Sequence, residues 1–367
     1  MKRYRVGVIG STGRGDYGHG LDVVWKDIEG AEIVAVADPD EKGRSEAAKR
    51  LGTSAAYADY REMLAKERPA IVSVGPRWID AHRDMVLACA EHGASVYLEK
   101  PMCRTPAEAD AMIRACEASH VKLAIAHQTR YSPRIPAIRK LIEDGAIGDL
   151  LELRGRGKED RRAGAEDLWV LGTHVFDLMR IFAGEPRWCF AEVTRGGRPA
   201  GKKDVVEGNE GIGPLAGDGV DAIYRMESGA TAHFSSRKGA GADPTRFGLA
   251  LVGSKGIIEM GTGYLPSVKL LRDPSWSPGR TGSSWIDVSS AGPGKPEPLE
   301  DGGLHAGNLA VVKDLIRAIE EDRDPHGSGR DGRAAVEMIA AVFASHAAGA
   351  PVKLPLEARG SPVSAFR

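Results

Sequence analysis

The sequence predicts an α/β protein with two kinds of sheet, a doubly wound parallel sheet followed by a mostly antiparallel one. Two observations support this prediction. Apolar strand-like runs alternate with helix-like segments over residues 1–149, which is typical of right-handed strand–helix–strand crossovers and a parallel sheet. From about residue 150 onward, strand-like runs recur without a helix between each pair, and this favours antiparallel pairing.

The N-terminal elements follow one another at short intervals. Strands are predicted at residues 5–9, 31–38, 70–75, 95–100 and 122–128, and helices at residues 20–28, 41–52, 80–93, 105–120 and 132–149. The nearly continuous apolar run "AEIVAVAD" (31–38) is typical of a parallel strand that is covered on both faces. Gly52 has the position of a C-cap, and Thr105, which precedes Pro106, has that of an N-cap.

The C-terminal elements are mainly strands. They are predicted at residues 150–158, 187–195, 220–226, 230–238, 246–254 and 256–260, with closing helices at 307–322 and 330–348. Alternation at Val220, Ala222 and Tyr224 indicates an antiparallel sheet with one wetter face. Residues 196–219 and 273–303 have the composition of loops, and their length favours a functional or assembly role.

Composition excludes several classes of protein. The 367 residues carry 50 Lys+Arg against 51 Asp+Glu without a basic block, so we expect no nucleic-acid partner. No apolar run approaches the roughly 18 residues of a membrane span, and the N-terminus does not resemble a signal peptide. The four cysteines form no C-x-x-C pair, which predicts free thiols in the cytoplasm. No spacing indicates a metal site.

A glycine-rich loop follows the first strand and is a candidate phosphate cradle. The dinucleotide-binding pattern G-x-G-x-x-G aligns with Gly10, Thr12 and Gly15, where Thr12 replaces the middle glycine and Gly13 restores some room. Its candidate cofactor-binding residues are Gly10, Ser11, Thr12, Gly13, Arg14 and Gly15. The alternative is a plain glycine-rich turn.

An acidic residue ends the second strand. Asp38 is placed to accept hydrogen bonds from the ribose hydroxyls of NAD, and it would repel the 2′-phosphate of NADP. It is alternatively an ordinary turn residue. The segment from Asp16 to Gly20 lengthens the preceding glycine loop as a cover or lid, and we expect its His19 to face solvent.

The tripeptide Glu99-Lys100-Pro101 stands where a buried strand ends. Ligands of parallel sheets bind at this end of the strands, so Lys100 is a candidate for binding the substrate oxygen and relaying its proton. Glu99 would fix its position, and the peptide bond before Pro101 is a candidate for the cis form. A surface ion pair is the alternative.

These residues resemble the glucose–fructose oxidoreductase/inositol dehydrogenase/MocA family, in which "EKP" is the most recognisable motif. "SVGPRWIDAH" (73–82), "HQTRYSPRIPAIRKLIEDGAIGDLLEL" (127–153), "LGTHVFDLMRIFAG" (171–184) and "AAVEMIAAVFASHAAGAPVKLP" (334–355) are similar to further segments of that family. The resemblance implies a Rossmann domain over residues 1–126 and a substrate-binding α/β domain with an open sheet over 127–367. It also implies that the C-terminal helices pack back toward the first domain.

The resemblance further implies an active site. Lys100 and His174 would be catalytic, while Pro76, His82, Glu99 and Lys100 itself would join the cofactor site. Substrate contacts are implied for His127, Arg130, Tyr131, Asp167 and Thr173. For the first three of these, an interdomain hydrogen-bonding cluster is the alternative. The family usually carries D-x-G-x-H on its catalytic helix, but Val170 stands at the aspartate position here. Asp167 either substitutes for that aspartate or is a helix-start residue.

Weaker candidates remain open. Arg156, Lys158 and Lys238 would bind an acidic sugar or form a solvated face, and Trp276 and Trp285 would stack on a sugar or anchor a subunit contact.

Three functions follow. The first is NAD-dependent hydride transfer at a hydroxyl or carbonyl of a sugar, sugar derivative or cyclitol. The second is a redox-neutral NAD-dependent glycosidase, lyase or epimerase that acts through a transient keto-sugar. The third is a non-catalytic binding regulator, against which Lys100 and His174 argue. The resemblance also implies a homodimer or homotetramer formed through the C-terminal sheet.

Overall fold

Six short parallel strands form the first sheet. A computed structural model describes residues 3–367 and divides the chain into two compact units. The first unit comprises residues 1–128, 208–213 and 304–336, and the second comprises the rest. The strands of the first sheet are β1 (Tyr4–Ile9), β2 (Ala31–Ala37), β3 (Ala56–Tyr57), β4 (Ile71–Val74), β5 (Ser95–Leu98) and β6 (Leu123–Ile125). Their order, β3-β2-β1-β4-β5-β6, is that of a Rossmann fold.

Four helices connect these strands. They are α1 (Glu41–Leu51), α2 (Tyr60–Glu67), α3 (His82–Glu91) and α4 (Pro106–Ala118). Both predicted caps are confirmed. Gly52 ends α1 with φ +74°, and the Thr105 hydroxyl accepts a hydrogen bond from the backbone N–H of Glu108 at 3.2 Å.

The helix predicted over residues 20–28 is absent. Turns occupy residues 12–23 and a 3-10 helix covers only Val24–Asp27. Leu21, Val24 and Trp25 are all buried, so the helix-like spacing of apolar residues is real, but turns achieve their burial. Gly18 and Gly20 have positive φ, which a continuous α-helix does not allow.

The second sheet has eleven strands. The strands after β6 are β7 (Leu150–Arg156), β8 (Pro186–Arg195), β9 (Arg198–Pro199), β10 (Val206–Glu207), β11 (Pro214–Leu215), β12 (Gly219–Met226), β13 (Thr231–Arg237), β14 (Gly248–Gly253), β15 (Ile257–Met260), β16 (Val268–Leu271), β17 (Ile286–Ser289), β18 (Gly292–Pro293) and β19 (Val352–Lys353). Their order is β18-β17-β16-β15-β14-β7-β13-β12-β8-β19; β9 pairs with β8, and β10 and β11 form a separate hairpin. Within residues 3–367, β7 and β13 are the one parallel pair of this sheet, so the predicted α/β fold with a mostly antiparallel second sheet is confirmed.

The helix that begins at Gly172 packs on one face of the second sheet. The helices after α4 are α5 (Arg134–Glu143), α6 (Ala165–Val170), α7 (Gly172–Ala183), α8 (Pro278–Thr281), α9 (Leu304–Glu320) and α10 (Gly329–Ala348). Phe176 of α7 packs against Tyr224 and Phe234, with ring centroids 5.5 and 4.9 Å apart. The predicted alternation is confirmed, because Val220, Ala222 and Tyr224 are all buried while Asp221 and Arg225 are exposed.

The two long loops contain short elements that their composition did not predict. Residues 196–219 hold β9, β10 and β11, and residues 273–303 hold α8, β17 and β18. None of the helices within residues 3–367 is both long and apolar enough to span a membrane.

Candidate active site

The glycine loop forms a tight backbone turn at the C-terminal end of β1. Ser11 and Asp16 exchange two backbone hydrogen bonds of 3.0 Å, and the Asp16 carboxylate accepts from the N–H of Gly13 at 2.9 Å. Gly13 has φ +81°, and no neighbouring atom lies within 4 Å of the place that a Cβ would occupy, so its backbone is open to close approach. Open space at the backbone is what the close approach of a pyrophosphate needs.

Asp38 is fully buried directly after β2. Its carboxylate accepts hydrogen bonds from the backbone N–H of Thr12 at 3.0 Å, from the Thr12 hydroxyl at 2.8 Å and from the N–H of Asp40 at 3.0 Å. Thr12, the departure from the glycine pattern, therefore binds the acidic residue of the candidate ribose site. An acceptor at this position suits two ribose hydroxyls and disfavours a 2′-phosphate.

Tyr17 is a buried residue of this loop that the sequence did not single out. A Cβ on Gly10 would lie 2.2 Å from the Tyr17 ring, so glycine at position 10 makes room for the tyrosine. The Arg50 guanidinium lies 4.9 Å from the ring centroid. Burial and the nearby Asp38 carboxylate raise the pKa of Tyr17 far above its usual value, so the phenol stays neutral.

Arg14 lies at the exposed tip of the loop. Its guanidinium is 2.5 Å from the Asp80 carboxylate and stacks on the Trp78 ring at 4.4 Å. Turns rather than a helix follow the loop, and Arg14 is a cation of this loop that is paired with Asp80.

Glu99 and Lys100 follow β5 directly and both are buried. The peptide bond between Lys100 and Pro101 is cis, as the sequence suggested. One Glu99 oxygen accepts from the backbone N–H of Lys100 at 2.9 Å, and the other accepts from His19. Burial alone raises the pKa of Glu99, but hydrogen bonds from His19 and the charge of Lys100 outweigh this effect and hold it below its usual value.

The expectation that His19 faces solvent is wrong. Its backbone N–H and its Nδ1 lie 3.0 and 2.9 Å from the same Glu99 oxygen, and only 36% of its side chain is exposed. A residue remote in sequence, Asn308 of α9, donates to the His19 carbonyl at 2.8 Å. No local sequence motif predicts the His19–Glu99 or the Asn308–His19 contact, because the three residues come from three separate segments of the chain.

His82 contacts two loops of the candidate cofactor site, the one at Pro76 and the one at Pro101. It is fully buried, with Nε2 2.7 Å from the Pro76 carbonyl oxygen and Nδ1 3.1 Å from that of Pro101. Burial lowers the pKa of His82 and favours the neutral ring. His127 is likewise buried and lies just after β6.

In the second unit, the D-x-G-x-H-like segment spans the junction of α6 and α7. Val170 and Thr173 are buried, while His174, in the first turn of α7, is half-buried. The apolar residue at the family's aspartate position is thus part of the core. His174 is the histidine of this segment.

Asp167 occupies the first turn of α6 and is fully buried. It accepts hydrogen bonds from the Ser236 hydroxyl at 2.6 Å and from the backbone N–H of Glu159 at 3.0 Å. A Cβ on Gly157 would come within 2.0 Å of its Oδ2, so the carboxylate packs directly on the loop after β7. Burial raises the pKa of Asp167 in spite of these hydrogen bonds.

Arg130 forms an ion pair with α7, the helix that carries His174. Its Nε lies 3.0 Å from the carboxylate of Asp177, which is one turn after His174 on α7, and both partners are almost fully buried. Thr129 accepts from the N–H of Gly263 at 2.8 Å, and Tyr131 is half-buried.

The weaker candidates have local partners. Arg156 pairs with the buried Glu159 at 2.9 Å, Lys158 lies 3.8 Å from Asp160, and Trp276 donates to the Gly253 carbonyl at 2.8 Å. Lys238 is exposed and Trp285 partly so. Among residues 3–367, no group of three or more His, Cys, Asp or Glu is arranged to hold a metal ion.

The first unit thus has the strand order, glycine loop and acidic strand end of an NAD-binding oxidoreductase domain. Comparison with known families agrees. Residues 4–127 match the oxidoreductase family's NAD-binding Rossmann fold, and residues 139–354 match that family's C-terminal alpha/beta domain. The chain belongs to this family, Gfo/Idh/MocA.

Several of its relatives are named as dehydrogenases of sugars and cyclitols. D-apiose dehydrogenase of Paraburkholderia graminis is 26% identical over 99% of this chain and 93% of its own length. Levoglucosan dehydrogenase of Pseudarthrobacter phenanthrenivorans is 27% identical over 62% of this chain and 64% of its own. A solved levoglucosan dehydrogenase in complex with NADH and L-sorbose superposes with a TM-score of 0.76 at 22% identity, covering 97% of this chain and all of that one.

The residues of the first unit fit NAD. Gly13 leaves its backbone open, Arg14 is an exposed cation on the same loop, and Asp38 directly follows the second strand but is fully buried against Thr12. The nicotinamide end would lie toward β4 and β5, because ligands of doubly wound sheets bind where the strand order reverses, outside the carboxyl ends of the strands.

Proposed function

We propose that this chain catalyses NAD-dependent hydride transfer at a hydroxyl or carbonyl carbon of a sugar, sugar derivative or cyclitol. The observation that carries the proposal is the Glu99–Lys100–Pro101 turn. It places a lysine, fixed through its backbone by a buried carboxylate, directly after β5 in a chain whose fold binds NAD. The relatives named for apiose, levoglucosan and inositol support polyhydroxylated substrates.

Lys100 and His174 divide the proton chemistry in this proposal. When bound, the nicotinamide accepts or supplies the hydride. Lys100 donates a hydrogen bond to the substrate oxygen, which develops negative charge when it loses its proton. His174 accepts or returns that proton, since an imidazole titrates near neutral pH. Arg130 holds α7 through Asp177 and so orients His174.

The test uses purified protein with NAD⁺ and a panel of aldoses, anhydrosugars, sugar acids and cyclitols. NADH absorbance and the mass of the products are followed in the same mixtures. We expect NADH to form in step with a product two hydrogens lighter. Lys100→Met and His174→Ala should each lower kcat by about 10² or more and leave the Kd for NADH within about twofold, since neither change touches the glycine loop.

Two outcomes would contradict the proposal. Product that is cleaved, hydrated or isomerised without net NADH would establish redox-neutral chemistry instead. A hydratase of 2,7-anhydro-N-acetylneuraminate from Mediterraneibacter gnavus is 33% identical, although over only 38% of this chain. Unchanged activity in both variants would show that these two residues are not catalytic.

The surroundings and assembly of the protein are also part of the proposal. All four cysteines are buried free thiols, which suits the reducing cytoplasm. Self-association through the open face of the second sheet is proposed as well.

A further inference from the structure

We propose that His19, held by Asn308, is a positioning residue that orients Lys100 through Glu99. The inference rests on the proposed function, because it assigns the support of the same lysine. Neither histidine nor asparagine is required to touch cofactor or substrate for this role. Both act through the orientation of one buried carboxylate.

The two oxygens of Glu99 are assigned to different partners. Oε1 accepts the backbone N–H of Lys100 at 2.9 Å. Oε2 accepts the backbone N–H of His19 at 3.0 Å and lies 2.9 Å from its Nδ1. Because an ionised carboxylate only accepts hydrogen bonds, Nδ1 carries the proton in this pair. Three donors therefore fix the plane of a side chain that is fully buried.

The lengthened glycine loop brings His19 to this position. Gly18 has φ +65°, and a Cβ there would lie 2.4 Å from the Gly75 carbonyl oxygen and 2.5 Å from Glu99 Oε2. Any larger residue at position 18 would push the loop away from Glu99. The turns after β1 therefore allow the loop to contact Glu99, and glycine at position 18 is needed for this contact.

Asn308 secures the loop from the opposite side. Its Nδ2 donates to the His19 carbonyl at 2.8 Å, while its Oδ1 accepts from the Tyr97 hydroxyl and from Gln128 Nε2, both at 2.8 Å. Asn308 is almost fully buried, and these partners determine the orientation of its amide. A satisfied buried network of this kind specifies one arrangement of the segments that it joins.

The hydrogen bonds to Glu99 also affect its ionisation. The titratable groups that act on Glu99 are His19, Lys100 and, at longer range, His82. Burial favours the neutral form of Glu99, and the hydrogen bonds from His19 oppose that tendency. Without His19, the carboxylate would protonate more readily and would no longer be held in line with the Lys100 backbone.

The experiment is a double-mutant cycle on kcat, KM and the Kd for NADH. We expect His19→Ala to lower kcat about tenfold, since misplacing a catalytic group is costly, with the Kd for NADH within about twofold. His19→Asn keeps a side-chain donor near the position of Nδ1 and should restore most of the rate. In a Glu99→Gln background, His19→Ala should add less than about twofold, because the path through Glu99 is already broken.

A matched control is available in the same unit. His305 also pairs with a carboxylate, that of Asp27 at 2.8 Å, but both side chains are exposed. His305→Ala should leave all three constants unchanged. Equal effects of His19→Ala in the wild-type and Glu99→Gln backgrounds would overturn the proposal, as would a change confined to the Kd for NADH.

A second measurement needs no substrate. Acetic anhydride labelling of the full chain, read by peptide mass spectrometry as a function of pH, reports the reactivity of Lys100. Glu99→Gln and His19→Ala should both alter the labelling profile of Lys100, whereas that of exposed Lys42 should not change. If the labelling of Lys100 changes in the variants but the protein oxidises no polyol, the proposed function is refuted and the role of His19 and Glu99 is supported. Polyol oxidation without such a change, and with independent mutational effects, would refute that role alone.

Discussion

Asp167, for which the family resemblance implied a substrate contact, is a fully buried carboxylate. The carboxylate has no exposed surface and accepts from Ser236 and from the loop after β7. Its pKa is raised by burial, so the folded protein binds the proton more tightly than the unfolded chain does. Stability from this group is therefore present below the unfolded pKa of about 4 and is lost as pH rises toward the folded value.

This sign gives a prediction for Asp167→Asn. The amide loses one acceptor, which leaves a buried backbone donor without its partner and costs about 1–3 kcal/mol. It also removes the cost of ionising a buried carboxylate. Urea unfolding should therefore show a large stability deficit at about pH 5 and a smaller one at about pH 8.

The neighbouring strand position provides the control. Ser235 donates to Asp221 at 2.7 Å, so a second Ser–Asp pair exists next to the first, but Asp221 is 51% exposed. Asp221→Asn should change stability little and without a pH trend of this sign. A deficit for Asp167→Asn that grows with pH would show that the pKa of Asp167 is lowered rather than raised.

At the scale of elements, the segment after β1 carries the largest difference between sequence and structure. Leu21, Val24 and Trp25 have helical spacing, and each is buried. The spacing of these apolar residues indicates which side chains face the core, but it does not determine the backbone conformation of the segment. Here the Trp25 indole donates to the Ser73 hydroxyl at 2.6 Å, and glycines with positive φ permit turns. Such contacts depend on the neighbouring strand and are invisible in a local pattern.

Because no α-helix follows β1, we expect Arg14 to contribute to binding the pyrophosphate. A helix N-terminus would have offered partial positive charge to a pyrophosphate, and the guanidinium at the tip of this loop is the cation in its place. Arg14→Ala should raise the Kd for NADH about tenfold, the size of one charge-assisted hydrogen bond. Tryptophan fluorescence titration at two salt concentrations measures this, and added salt should weaken wild-type binding more than binding by the variant.

Arg61 is the matched control for this prediction. It is an exposed arginine of the same unit that also stacks on an aromatic ring, that of Tyr60 at 4.6 Å. Arg61→Ala should leave the Kd for NADH unchanged. Equal affinities of Arg14→Ala and wild type at both salt concentrations would mean that the loop backbone alone binds the pyrophosphate.

For the whole molecule, the features that the sequence predicted are those set by regular patterns. Apolar runs and alternation indicated both sheets, and the carboxyl ends of parallel strands placed the glycine loop, Asp38 and Lys100 along one edge. Contacts across long sequence separations were not predictable. The Asn308–His19 hydrogen bond joins residues 289 positions apart, and no local pattern in either segment indicates it. The same holds for the packing that buries Asp167.

The second sheet has one open face, which can be followed from strand to strand by register. Paired residues form a row across β8, β12, β13, β7, β14, β15 and β16, and each is exposed or half-buried: Phe190, Ile223, His233, Arg154, Ala250, Glu259 and Lys269. The adjacent row is buried throughout, from Ala191 to Val268. Seven strands at about 4.8 Å spacing make this face roughly 30 Å wide, which is large enough for a stable interface.

One apolar side chain marks where a second copy would pack on this face. Phe190 is 43% exposed, and aromatic anchors dominate the cores of protein interfaces. We expect light scattering after size exclusion to give the mass of a dimer or tetramer, and Phe190→Glu to lower it, because a buried charge without a partner opposes association. Leu304→Glu, which alters an equally exposed apolar residue of the first unit, should leave the mass unchanged. A monomeric wild type, or a loss of mass in both variants, would mean that this face does not mediate self-association.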